Sequence, residues 1–140
     1  GLADGTIDAL VSDHTPVDED AKALPFAEAE VGATGLELLL SLALKWGQES
    51  GVGLVRELAV VTSERARVLG AALGTLPAST GQLVAGGVAD VCIFDPTDEW
   101  VVQPDALCSQ GKHTPFSGYA LPGRVRCTIA GGQVAFERAA

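Results

Sequence analysis

At 140 residues, the chain is within the size range of one domain, long enough to bury a core of its own or to complete a larger one. Apolar residues make up 47% of it, charged residues 19% and aromatic residues 5%, which excludes intrinsic disorder and describes an Ala-, Val-, Leu- and Gly-rich globular protein. A formal net charge of −9 argues against a surface that tracks the phosphates of DNA or RNA.

The longest apolar runs, Leu38–Leu40 and Leu42–Leu44, are interrupted by Ser41 and Lys45 and fall short of a membrane span. No basic, apolar and small-residue leader opens the chain, so a cytoplasmic location is expected. Gly1-Leu2-Ala3-Asp4-Gly5 reads as a loop running straight into a strand with no starting Met, as though the chain were cut from a longer protein. Cys92, Cys108 and Cys127 are odd in number and lack a Cys-x-x-Cys spacing, which predicts reduced thiols. Cys92 and Cys127 lie in apolar, strand-like runs and are expected to be small core residues.

Ile7-Asp8-Ala9-Leu10-Val11-Ser12 is a short apolar run ending in polar residues, the pattern of a strand buried on both faces of a parallel sheet. From His14 to Ala33, Pro16, Pro25, Gly32 and the acidic run Asp18-Glu19-Asp20 predict a long surface loop. The acidic run could hold a metal, but consecutive carboxylates on a loop more often form a solvated face. Thr34-Gly35-Leu36-Glu37 fits a capping box, in which the hydroxyl and the carboxylate each satisfy an N–H at a helix start. Leu36, Leu39, Leu40, Ala43 and Leu44 then recur at helical spacing, and Gly47 is placed to stop the helix near Trp46. A second helix is expected over Leu54 to Val61, and a third, capped by Ser63, ending at Gly70.

Beyond Gly74 the sequence turns to Gly, Val and alternating apolar residues, predicting strands at Val88–Phe94 and Trp100–Val102. Val125–Ala130 and Gln133–Glu137 flank Gly131-Gly132, the glycine turn of a tight hairpin. Gly86-Gly87 and Gly131-Gly132 lack the strand-to-helix context of a phosphate loop and are read as turns.

In a parallel α/β barrel the reacting groups sit at the C-terminal ends of strands, which is where Asp13 falls. A carboxylate there can bind a divalent metal, take a proton from metal-bound water and deliver it to a leaving nitrogen. The plainer alternative is that Asp13 caps the following turn through Thr15.

The string Ile7-Asp8-Ala9-Leu10-Val11-Ser12-Asp13-His14-Thr15-Pro16, followed by Pro25-Phe26 and Gly32-Ala33-Thr34-Gly35-Leu36-Glu37, resembles the end of class I dihydroorotases of the amidohydrolase superfamily. Ser63 to Gly70 is similar to that family's Asn-Pro-Ala-Arg helix. Gly81-Gln82-Leu83, Gly86 to Val91 and Phe94-Asp95-Pro96 resemble its β segment, and Ser109 to Phe116 its Ser-Lys-Gly-Lys-Asn-Thr-Pro-Phe loop. Gly123-Arg124-Val125 and the Gly131-Gly132 hairpin complete the match, which covers essentially the whole chain. The β motifs are shared with hydantoinases and allantoinases, and the Asp13 string narrows the match to dihydroorotase.

The resemblance implies an α/β fold: residues 1–76 as the last strand and C-terminal helices of a (β/α)8 metal-dependent hydrolase barrel, and residues 77–140 as part of a small β-sandwich completed by a missing N-terminus. It implies zinc-dependent hydrolysis, or reverse condensation, of a cyclic amide, interconverting dihydroorotate and N-carbamoyl-L-aspartate in pyrimidine biosynthesis. Asp13 would be the catalytic acid/base and a metal ligand, and the backbone at Val31-Gly32 would contact the pyrimidine ring. In active family members the motif reads Asp-His-Ala-Pro-His or Asp-Ser-Ala-Pro-His, the final His helping to hold the substrate carboxylate. Here that position is Val17, which cannot donate a hydrogen bond, so His14 or Lys22 would have to supply the contact. His14 could equally pack the loop, and His113 is expected to be structural.

With His14 and His113 as the only histidines, the chain lacks the family's His-x-His pair and falls short of the roughly three protein ligands of a catalytic zinc. Alone it is expected to be inactive, the other ligands lying outside it. Three readings of the intact protein follow: a dihydroorotase acting on a small molecule as a homo-oligomer, an inactive dihydroorotase-like scaffold of aspartate carbamoyltransferase, or a hydantoinase- or allantoinase-type cyclic amidase. The catalytic readings expect Asp13 to face a barrel cavity from the end of a strand in a parallel sheet.

Overall fold

The computed structural model describes residues 1–74 and 80–139; the division expected between residues 76 and 77 lies outside them. Helices occupy the first half and strands the second. A one-turn helix α1 (Glu19–Lys22) is followed by a 3-10 turn (Leu36–Leu38), α2 (Leu39–Ser50), α3 (Leu54–Ala59) and α4 (Ser63–Leu69). The strands are β1 (Val91–Asp95), β2 (Trp100–Val101), β3 (Ala120–Leu121), β4 (Arg124–Ala130) and β5 (Gln133–Glu137).

Helix α2 is apolar on two sides because it is packed on two sides. Leu39, Ala43 and Trp46 meet Val60 and Val61 together with Leu2 and Leu10. Leu38 and Leu42 join Val102, Leu107, Leu121, Trp100 and Phe116 from the second half. Residues spaced by three and four share a helix face, so these two interleaved stripes let one helix serve both clusters. A buried polar link reinforces the junction: Trp100 Nε1 donates to Ser41 Oγ at 3.2 Å, and Ser41 Oγ donates to the Gly123 carbonyl at 3.3 Å.

The helix does not stop at Gly47. It runs to Ser50 and ends at Gly51, whose φ of 68° is left-handed, with Val52 N–H donating to Gly47 O and Gly51 N–H to Gln48 O, a Schellman ending. Gly47 serves packing instead, since a Cβ on it would lie 1.9 Å from Glu57 Cγ. The third helix begins at Ser63 as a helical residue, preceded by Thr62, and no side chain caps it.

Strands β1, β4 and β5 form an antiparallel sheet in the order β1-β4-β5, and β2 pairs antiparallel with β3. The first strand starts at Val91, three residues later than expected. Gly131 and Gly132 both have positive φ, 55° and 80°, as a two-residue hairpin with the right-handed twist of its strands demands. Cys92 is exposed and Cys127 only half-buried; they are not core residues, because much of this sheet is uncovered, with Ile93 and Val134 exposed as well.

The expected strand Ile7–Ser12 is not part of any sheet. All strand pairing among the described residues is antiparallel and none involves this segment. It lies along the helices, with Leu10 N–H donating to Val60 O at 2.9 Å and Arg67 bridging to Asp8 at 2.6 Å. A ladder needs a neighbouring strand, and the described residues offer none beside it; Ile7 and Val11 are accordingly 51% and 64% exposed. No described helix is long and apolar enough to cross a membrane.

Candidate functional site

Three loops meet around Asp13: residues 13–17, 31–37 and 108–114. Asp13 is the only non-glycine residue with positive φ among those described, at 44°, a region that Asp enters more readily than most L-residues but less freely than glycine. Its neighbours fasten it. Thr15 Oγ1 donates to the Asp13 carbonyl at 3.3 Å, and Thr15 N–H donates to Ala33 O at 3.1 Å. The turn is thus capped by Thr15 on the backbone of Asp13, and the Asp13 carboxylate, exposed at the surface, takes no part in it.

His14 carries the second fastening. Its Nδ1 accepts from Gly35 N–H and Leu36 N–H, both at 3.2 Å, so the opening of the 3-10 turn before α2 is capped from the Asp13 loop. Nδ1 can accept only when unprotonated, which puts the ring proton on Nε2.

The capping box does not form. Thr34, fully buried, donates its hydroxyl to Gly111 O and its N–H to His113 O. The Glu37 carboxylate accepts from Cys108 N–H at 2.8 Å and Ser109 N–H at 2.9 Å. Burial works against ionising Glu37, but these N–H groups outweigh it and hold its carboxyl below the ordinary range. Both side chains reach across the fold to backbone groups of the 108–114 loop, while His14 already satisfies the helix start.

Val31 and Gly32 lie beside this turn. Gly32 has a φ of 130°, and a Cβ on it would fall 2.4 Å from Thr15 O, so only glycine fits. Val31 is 87% exposed. On the other side Gly111 abuts Pro16 and Val17; a Cβ there would lie 2.6 Å from Pro16 Cβ. The structure therefore brings Asp13, His14, Val31 and Gly32 into one neighbourhood. It also adds a wall that sequence reasoning missed, Thr34, Glu37 and the 108–111 backbone, for which the glycine within the Ser109–Phe116 motif was the available signal.

Of the groups expected to replace the histidine absent at Val17, Lys22 donates to the Glu30 carbonyl and His14 commits its Nδ1 to the helix start. His113 contributes its backbone carbonyl to Thr34, a structural part. Asp18, Glu19 and Asp20 are exposed, as a solvated face should be. Among the described residues no group of three or more His, Cys, Asp or Glu could hold a metal ion.

No family model matches the chain. It is 40% identical over 98% of its length to a dihydroorotase of Citrifermentans bemidjiense, of which it spans 31%. With a dihydroorotase of Thermoanaerobacter sp. strain X514 it shares 37% identity over 99% of its length and 30% of the relative's. The chain thus spans about a third of the curated relatives it matches. Among solved structures it is similar to the L-hydantoinase (dihydropyrimidinase) of Arthrobacter aurescens, 31% identical with a TM-score of 0.80 over 97% of this chain and 30% of that one. The dihydropyrimidinase of Brevibacillus agri, with a TM-score of 0.85 at 20% identity over 97% of this chain and 30% of that one, shares the fold. The resemblance to dihydroorotase read from the motifs is borne out.

Proposed function

We propose that the intact protein is a dihydroorotase, a cyclic amidohydrolase interconverting dihydroorotate and N-carbamoyl-L-aspartate in pyrimidine synthesis, and that this chain supplies its acid/base carboxylate, Asp13. The observation that carries the reading is a strained aspartate with an uncommitted carboxylate, within a chain similar to dihydroorotases over 98% of its length. Non-glycine residues held in costly backbone conformations cluster at functional sites. In the forward direction water adds to the ring carbonyl carbon, the C–N bond breaks, and the leaving nitrogen takes a proton. Asp13 would accept that proton from the attacking water and return it to the nitrogen. The backbone at Val31 and Gly32 would border the substrate ring.

The donors present here do not make a zinc site: one free carboxylate falls short of the roughly three protein ligands a catalytic zinc takes. We assign the zinc's remaining ligands to parts of the protein outside this chain. The same reading takes residues 1–76 as the end of a (β/α)8 barrel, in which segment 7–12 would gain its neighbours, and residues 77–140 as part of a β-sandwich that covers the open sheet. It also takes the protein to be a cytoplasmic homo-oligomer.

Turnover of dihydroorotate, dihydrouracil, hydantoin and allantoin by the intact protein tests the choice of ring. Preference for dihydroorotate is expected, and preference for hydantoin or allantoin would overturn it. A second reading, an inactive scaffold of aspartate carbamoyltransferase, is favoured by Val17 together with the engagement of Lys22. Under it the intact protein fails to turn over dihydroorotate, and Val17→His gains affinity for that compound.

A further inference from the structure

We propose that His14 is a positioning residue and not a substrate ligand: its Nδ1 clamps the Asp13 turn to the start of the helical segment beginning at Leu36, fixing where the Asp13 carboxylate points. This rests on the role proposed for Asp13 and adds a residue to it. The left-handed backbone of Asp13 is unfavourable by itself and persists only where its surroundings over-determine it. Three attachments do so: Thr15 Oγ1 to the Asp13 carbonyl, Thr15 N–H to Ala33 O, and the shared His14 Nδ1 acceptor for Gly35 and Leu36. Only the last ties the turn to an extended element, because the 3-10 turn Leu36–Leu38 continues directly into the buried helix α2. His14 is adjacent to Asp13, so a rotation at His14 reorients the carboxylate. Gly35 is buried and lies against the Ser12 carbonyl, which would be 3.1 Å from a Cβ at that position, so the two segments joined by the clamp pass close together.

The geometry makes the two ring nitrogens distinguishable. Asn places its Oδ1 where Nδ1 sits and can accept the same two N–H groups, whereas Gln places its acceptor nearer to Nε2. In the intact enzyme, His14→Ala is expected to lower kcat by about ten- to a hundredfold, the scale of loss when a reacting group is misplaced by an ångström, with KM nearly unchanged. His14→Asn should restore most of kcat and His14→Gln should not. Hydrogen exchange at Gly35 and Leu36 should be slow in the wild type and His14→Asn and faster in His14→Ala and His14→Gln. A loss confined to KM and rescued by Gln would overturn the proposal in favour of a substrate contact through Nε2. Unchanged exchange in His14→Ala would overturn the clamp while leaving the dihydroorotase reading intact. A wild-type protein inactive on every cyclic amide, with exchange responding as expected, would overturn the reaction reading and the catalytic part of this one while upholding the clamp.

Discussion

Asp13 and Glu37 are carboxylates in opposite settings, the first proposed to act on substrate and the second tied into the fold. Asp13 occupies a left-handed backbone conformation that glycine adopts freely, so Asp13→Gly should raise stability, by up to about 1 kcal/mol, while removing the group proposed to act on substrate. A denaturant midpoint that rises as turnover disappears is the expected signature of a residue kept for function. Glu37 is kept for structure. Its carboxyl titrates below its ordinary value of 4.5, so its contribution is fully present above that value and is lost as the pH falls through the lower, folded-state one. Glu37→Gln should destabilise the protein by about 1 kcal/mol at neutral pH, less than a hydrogen bond to a charged group usually contributes because the site is partly solvated. The gap between variant and wild type, followed by denaturant unfolding, should close as the pH is lowered below about 4.5. The two roles were only half legible. Strand-end position and motif singled out Asp13, but the i, i+3 spacing of Thr34 and Glu37 suggested a local box, and spacing carries no information about a loop more than 70 residues away that competes for the same side chains.

Among the elements, those specified by local periodicity were legible and those specified by neighbours were not. Helix α2 follows from its apolar spacing and the β4–β5 hairpin from Gly131-Gly132. Segment 7–12 reads as a strand, but strand structure requires a partner that the described residues do not supply. Gly47 looks like a stop signal for α2, but its actual constraint is Glu57, and the helix ends at Gly51. Ala is ordinarily better than Gly inside a helix by about 0.5–1 kcal/mol, yet Gly47→Ala should destabilise the protein, since the new methyl meets a buried Glu57. Adding Glu57→Ala should recover part of the loss, which a double-mutant cycle of unfolding free energies would register as favourable coupling. Ser41→Ala should cost about 1–3 kcal/mol by leaving the Trp100 N–H and the Gly123 carbonyl without their buried partner.

On the scale of the whole molecule, the two halves share a core: Leu38 of the helical half is buried with Val102, Leu107 and Leu121 of the strand half. The 108–114 loop thereby becomes a wall of the turn that holds Asp13, which explains why a motif far along the chain belongs with one near its beginning. Gly123 marks how close the approach is, because a Cβ there would lie 2.1 Å from Leu44 Cδ1. Composition and motif order made the α-then-β layout legible; the shared core was not, because it depends on packing between residues far apart in sequence. The most direct measurement is dihydroorotate turnover by the intact protein and its Asp13→Asn variant, with circular dichroism to verify folding. Robust turnover in the wild type and a loss of at least about a hundredfold in a folded variant, the lower range for an acid/base group, is the predicted result. Unchanged turnover in the variant would contradict it.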